Sequence, residues 1–150
     1  MDGLSAAASG IAVISLAIQL VDSIREIKRF LRSVSEAPKE LTRLLDLLDH
    51  LELILENTGQ LIQMQQKLGG ELNVHLCVSV EKAMKTCETK LLKLDGVVKI
   101  TKKASGADTR AARSFAAFRQ GCKKRDIEEF EEQLHDSLSL LNLAISMSLV

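Results

Sequence analysis

The chain has 150 residues, enough for one core and too few for two ordinary domains. Hydrophobic residues make up 46% and charged residues 27%, a balance that excludes a disordered chain. Twenty basic and twenty acidic residues cancel, so the whole-molecule field gives no case for a nucleic-acid partner.

One Pro, no Trp, no Tyr and four Phe leave little material for a sheet. The abundant Leu, Ala, Lys and Glu lose little entropy in helices. The first predicted helix runs from about Gly3 to Val34. Ser35-Glu36-Ala37-Pro38 interrupts it, since proline is tolerated in a first turn but not in a helix interior. The second runs from about Pro38 to Leu68. Leu41, Leu44, Leu45, Leu48, Leu51 and Leu55 keep the spacing of a buried stripe, and Asn57-Thr58-Gly59 is a candidate kink. Gly69-Gly70 ends it. The third runs from about Glu71 to Lys103, with Leu76, Val80, Ala83, Cys87, Leu91, Leu94 and Val98 on one seam and Gly96 as a weak point. Ser105-Gly106-Ala107-Asp108 is a turn, with Asp108 as N-cap. A short helix from Thr109 to about Gln120 follows. The last helix starts near Arg125 and buries Ile127, Phe130, Leu134, Leu138, Leu141 and Ile145. Its first turns carry Asp126, Glu128, Glu129, Glu131 and Glu132, where the macrodipole favours anions. Short connections between long helices predict an all-α fold: an antiparallel up-down bundle of four long helices plus a short extra one. Leu44, Leu48, Leu91, Phe130 and Leu134 are expected in one core, with residues 1–150 forming a single domain.

Catalytic patterns are missing from the sequence. It has no phosphate-binding glycine loop and no nucleophile elbow. Glu132 and His135 have the spacing of one di-metal motif, but no second copy matches it. His50, His75 and His135 are otherwise isolated. No enzyme activity, cofactor or metal is expected. Cys77 and Cys87 sit ten residues apart on one predicted helix, about 15 Å along its axis, too far for a disulfide. With Cys122 they read as buried reduced thiols, which points to the cytoplasm.

The most informative stretch is the first helix. From Gly3 to Val21 nineteen successive residues carry no charge, a length that just spans a thin hydrocarbon core. Asp2 in place of a basic start argues against a secretory signal. Leu4, Ile11, Ile14, Ile18 and Leu20 supply apolar surface. Ser5, Ser9, Ser15 and Gln19 fall within an arc of about 120° and form a polar stripe. Gly3, Gly10 and Ala17 repeat every seven residues, a small-residue seam that permits close helix approach. Arg25, Lys28, Arg29 and Arg32 follow on one side of the helix. Near anionic headgroups each such charge is worth up to about 1 kcal/mol. Two readings compete: a membrane-insertion helix with a lipid-headgroup patch, or a buried first helix of a bundle with a solvated basic face.

The opening Met1-Asp2-Gly3-Leu4-Ser5-Ala6-Ala7-Ala8-Ser9-Gly10, the Ser35-Glu36-Ala37-Pro38-Lys39-Glu40-Leu41 turn and the Leu44-Leu45-Asp46-Leu47-Leu48 helix resemble the fungal HeLo-like N-terminal domain. That domain heads many STAND proteins, the fungal NOD-like receptors. The resemblance spans the chain and is strongest over the first 60 residues. It implies a helical bundle related to HeLo toxins and, distantly, to the four-helix domains of necroptotic pseudokinases and plant helper receptors. It further implies the N-terminal module of a longer protein, acting in programmed cell death and fungal incompatibility by membrane targeting. The implied partners are anionic membrane lipid, further copies of itself in an activated oligomer, and a downstream regulatory domain. The implied localisation is the cytoplasm, with movement to the plasma membrane on activation. A homotypic adaptor without membrane activity and a passive structural bundle are the alternatives.

Overall fold

Among its described residues the computed structural model has four long helices: α1 (Asp2–Ser33), α2 (Lys39–Lys67), α3 (Val74–Ala104) and α4 (Lys124–Ser148). It describes residues 2–34, 39–67, 74–104 and 122–148, with side chains over 10–34, 39, 41–67, 77–100 and 122–146. There is no strand among the described residues, in keeping with the all-α expectation. The expected short helix at Thr109–Gln120, the Gly69-Gly70 break, the Asp108 cap and the Pro38 turn lie outside them.

The periodic leucines determine which face of each helix turns inward. Leu41, Leu44, Leu48, Leu51 and Leu55 of α2 are all at 0% exposure. On α3, Val80, Ala83, Cys87, Leu91, Leu94 and Val98 are buried, and on α4 Ile127, Phe130, Leu134 and Leu141 are. All join one hydrophobic cluster, so the five expected core residues share a core. Burying a Leu or Ile side chain stabilises by about 1.5–3 kcal/mol, which makes this cluster the main support of the fold. Leu45 and Leu138 are half-buried at its margin.

Helix ends and polar positions obey local rules. The Lys123 amide donates to the Asp126 carboxylate at 2.9 Å, the N3-to-N-cap half of a capping box, and places an anion at the positive end of α4. Neither candidate weak point breaks its helix: α2 runs unbroken through Asn57-Thr58-Gly59, and α3 through Gly96. Thr58 is buried, but its hydroxyl donates to the Ile54 carbonyl at 2.7 Å, which satisfies it inside the helix.

Helix α1 packs against α2 and α3, and α4 packs against the same two. No other pair of helices packs to a comparable extent among the described residues. Around the bundle the order is therefore α1, α2, α4, α3, with α2 and α3 at opposite corners. Helices α1 and α2 run antiparallel: Ala17 faces Gly59, Arg25 reaches Glu52 and Glu56, and Arg32 reaches Asp49.

Candidate functional site

Among the described residues α1 packs against two helices, burying one side and presenting the other. The inward arc holds Gly10, Val13, Ala17, Leu20, Val21, Ile24 and Ile27. Gly10 and Ala17 of the small-residue seam thus face the bundle. A Cβ placed on Gly59 would lie 3.6 Å from the Ala17 Cβ, so these small residues let α1 and α2 approach closely.

The outward arc holds Ile11, Ser15, Ile18 and Gln19. Ile11 is 61% and Ile18 57% exposed, while Ile14 is half-buried. Ser15 and Gln19 of the polar stripe therefore share the solvent side with Ile11 and Ile18, and Leu20 lies on the core side. Ile14, Ala17, Ile18 and Val21 line a shallow groove on the α1–α2 edge, completed by Leu55, Gly59, Gln60 and Gln63. The side chains of Gly3, Leu4, Ser5 and Ser9 lie outside the described ones. No described helix is long and apolar enough to cross a membrane.

The basic patch is mostly engaged. Arg25 Nε donates to Glu52 Oε1 at 2.7 Å, and its Nη2 donates to Glu56 Oε1 at 2.6 Å. Lys28 Nζ reaches Glu52 Oε2 at 2.6 Å and also contacts Asp49. Arg32 Nη2 lies 3.3 Å from Asp49 Oδ1. Arg29 is exposed and has no ion pair among the described residues. Asp49, Glu52 and Glu56 are spaced by three and four on α2, matching Arg25, Lys28 and Arg32 on an antiparallel neighbour. That complementary spacing is present in the sequence and identifies the ladder.

The members of this ladder are unequal. Arg25 and Arg32 are more than half exposed, and pairs of that kind contribute about 0–1 kcal/mol. Lys28 is buried among them. Burial alone would lower its affinity for a proton, but the hydrogen bonds to Asp49 and Glu52 and their charges outweigh that and raise its pKa. Burial alone would raise Glu52, but the hydrogen bonds from Lys28 and Arg25 and their charges hold its carboxyl below the ordinary value. The ladder is thus a cation-carboxylate latch along α1–α2, centred on Lys28 and Glu52.

The three cysteines form no disulfide and are buried. Among the described residues no group of His, Cys, Asp and Glu is arranged to hold a metal.

Residues 7–141 match the family model described as SesA, the N-terminal domain on NACHT NTPases and P-loop NTPases. Neither a curated protein nor a solved structure matches the chain.

Proposed function

The chain belongs to the SesA family of N-terminal domains on NACHT and P-loop NTPases, and from that premise we propose that it is the effector module of such a receptor. In this reading the chain is a HeLo-like domain of a fungal NOD-like receptor. A downstream regulatory domain holds it inactive. Oligomerisation activates it, and α1 then targets the plasma membrane and kills the cell. The four helices are read as an antiparallel up-down bundle, which the α1–α2 pairing supports. The observation that carries the reading is the family match over residues 7–141. The outward Ile11 and Ile18 on the uncharged half of α1 support the choice of that helix.

Lipid contact by the basic patch has a stated requirement. Arg25, Lys28 and Arg32 must exchange Asp49, Glu52 and Glu56 for lipid phosphates, while Arg29 is available from the start. Releasing α1 also exposes its buried arc, and only hydrocarbon offsets that loss. Membrane action is therefore coupled to separation of α1 from α2.

A homotypic adaptor that never touches lipid is the second reading. Two observations favour it: no described helix is long and apolar enough to cross a membrane, and three of the four patch cations are already paired. Dye-loaded vesicles rich in anionic lipid separate the two. Leakage on forced oligomerisation of the purified chain supports the effector reading. Neither leakage nor vesicle binding under the same forcing leaves the adaptor.

A further inference from the structure

The zero net charge conceals a strong division between helices. Helix α3 carries seven lysines against Glu81, Glu88 and Asp95. Helix α4 carries six carboxylates against Lys124 and Arg125. Helices α3 and α4 pack against each other, but the outward face of α3 and the groove that α4 forms with α2 lie on different sides of the bundle, since α3 and α2 occupy opposite corners.

The negative surface is a groove between α2 and α4. Asp46, Glu128, Glu132 and Asp136 line it, with Leu47 and Leu138 supplying apolar walls. All four carboxylates are exposed and both leucines are half-buried. Arg43 also lines it, but it is matched to Glu131 at 3.1 Å. The positive surface is the outer ridge of α3. Lys82, Lys85 and Lys93 are exposed there, and helical spacing puts Leu92 and Ile100 within the same arc of about 100°. Leu92 and Ile100 are each 62% exposed. Of the three lysines only Lys85 has a described ion partner, Glu81 on its own helix at 3.1 Å.

We infer that the α3 ridge of one copy docks in the α2–α4 groove of the next copy. The charges are complementary, both surfaces mix charge with exposed or half-exposed apolar side chains, and one chain carries both halves. Such a contact is heterologous: each copy offers a ridge and a groove, so copies add head to tail into a ring or an open chain. Charge complementarity selects partner and register, and the leucines supply the area removed from water. The inference deepens the oligomerisation step of the proposed function but needs no lipid, so its test runs in solution.

Sedimentation of the purified chain over a concentration series tests it. Wild type self-associates at low ionic strength, and raising salt from about 0.05 to about 0.5 M weakens the association at least about tenfold by screening. The set K82E/K85E/K93E and the set E128K/E132K/D136K each abolish self-association while circular dichroism shows unchanged helicity. Mixing the two sets restores association in a one-to-one ratio, because one protein now has two acidic surfaces and the other two basic ones. Placing both sets in one chain also restores it. A wild type that stays monomeric at low salt overturns the inference, as does either set alone associating like wild type, or a mixture that stays apart. A monomeric wild type whose groove binds a Lys/Arg-rich peptide assigns the groove to a different partner and overturns it equally. Vesicle leakage is not read in this experiment, so a failure here is distinct from a failure of the membrane reading.

Discussion

Lys28 of α1 meets Glu52 of α2 at 2.6 Å, and their side chains are only 10% and 15% exposed. Glu52→Gln keeps the shape and removes the charge from beneath Lys28 and Arg25. Hydrogen bonds to charged groups contribute about 1.5–3 kcal/mol, so a loss of about 1–3 kcal/mol near neutral pH is expected from urea unfolding. The pH dependence has a definite sign. The Glu52 carboxyl is held below its ordinary value of 4.5, so its contribution is present above that pH and is lost as pH falls through the lower folded value. The raised Lys28 gives the opposite edge: its contribution is present below 10.5 and is lost as pH rises past the higher folded value. Stability of Glu52→Gln should fall less steeply than wild type below pH 4.5. A parallel fall in both would remove Glu52 from the acid sensitivity.

Gly59 and Gly96 should respond alike to alanine and differently to leucine. A Cβ on Gly59 meets Ala17 at ordinary contact distance, 3.6 Å, and one on Gly96 meets nothing within 4 Å. Alanine at either site should stabilise by up to about 1 kcal/mol through helix propensity alone. Leucine at Gly59 must carry three further carbons past Ala17 and should cost about 1–3 kcal/mol by crowding the α1–α2 contact. Leucine at Gly96 extends into open space and should be close to neutral. Thermal melts of the four variants measure this directly.

The inward faces of α2, α3 and α4 were legible because leucine spacing reports helix period and burial together. Gly59 was legible only as a candidate kink, and its place against Ala17 was not legible, because spacing within one helix says nothing about how near a neighbouring helix comes. Arg25, Lys28 and Arg32 read as one solvated or lipid-facing stripe because they were read on α1 alone. Their partners Asp49, Glu52 and Glu56 become visible only when two helices are aligned antiparallel. The order of helices around the core was not legible either. Short loops favour neighbours in sequence, yet α2 and α3 sit at opposite corners, so the division of charge between α3 and α4 gained its geometry only from the fold.

The thiols give a probe of global opening. Cys87 is at 0% exposure, and burial, then the nearby Glu88, push its pKa up to about 12 against a hydrogen bond with Ser137. Burial also raises Cys77, and Cys122 is equally enclosed. The thiolate is the reactive form, so a native chain in mildly alkaline buffer should show no fast-reacting thiol. All three should label rapidly in denaturant, and mass spectrometry counts them. Rapid labelling of Cys87 in the native chain would show that α3 and α4 separate readily.

Ile11 and Ile18 decide what the outer face of α1 is for. They are 61% and 57% exposed, so an aspartate at either position takes little from the core and should change stability by no more than about 0.5 kcal/mol. Hydrocarbon reverses that tolerance, because a charged side chain at the centre of a membrane helix costs about 2.5–3.5 kcal/mol. Two such residues should lower insertion by a factor of about a thousand or more. Ile11→Asp/Ile18→Asp is therefore expected to melt with wild type and to self-associate with wild type, yet to release no dye from anionic vesicles. Ile24→Asp is the contrasting change: Ile24 is at 0% exposure, so an unpaired charge there should unfold the bundle before any membrane is met. Leakage by the double aspartate variant equal to wild type would mean that another surface meets lipid. Absence of leakage from both, with self-association intact, would leave the outer face of α1 as bundle surface and the adaptor reading in its place.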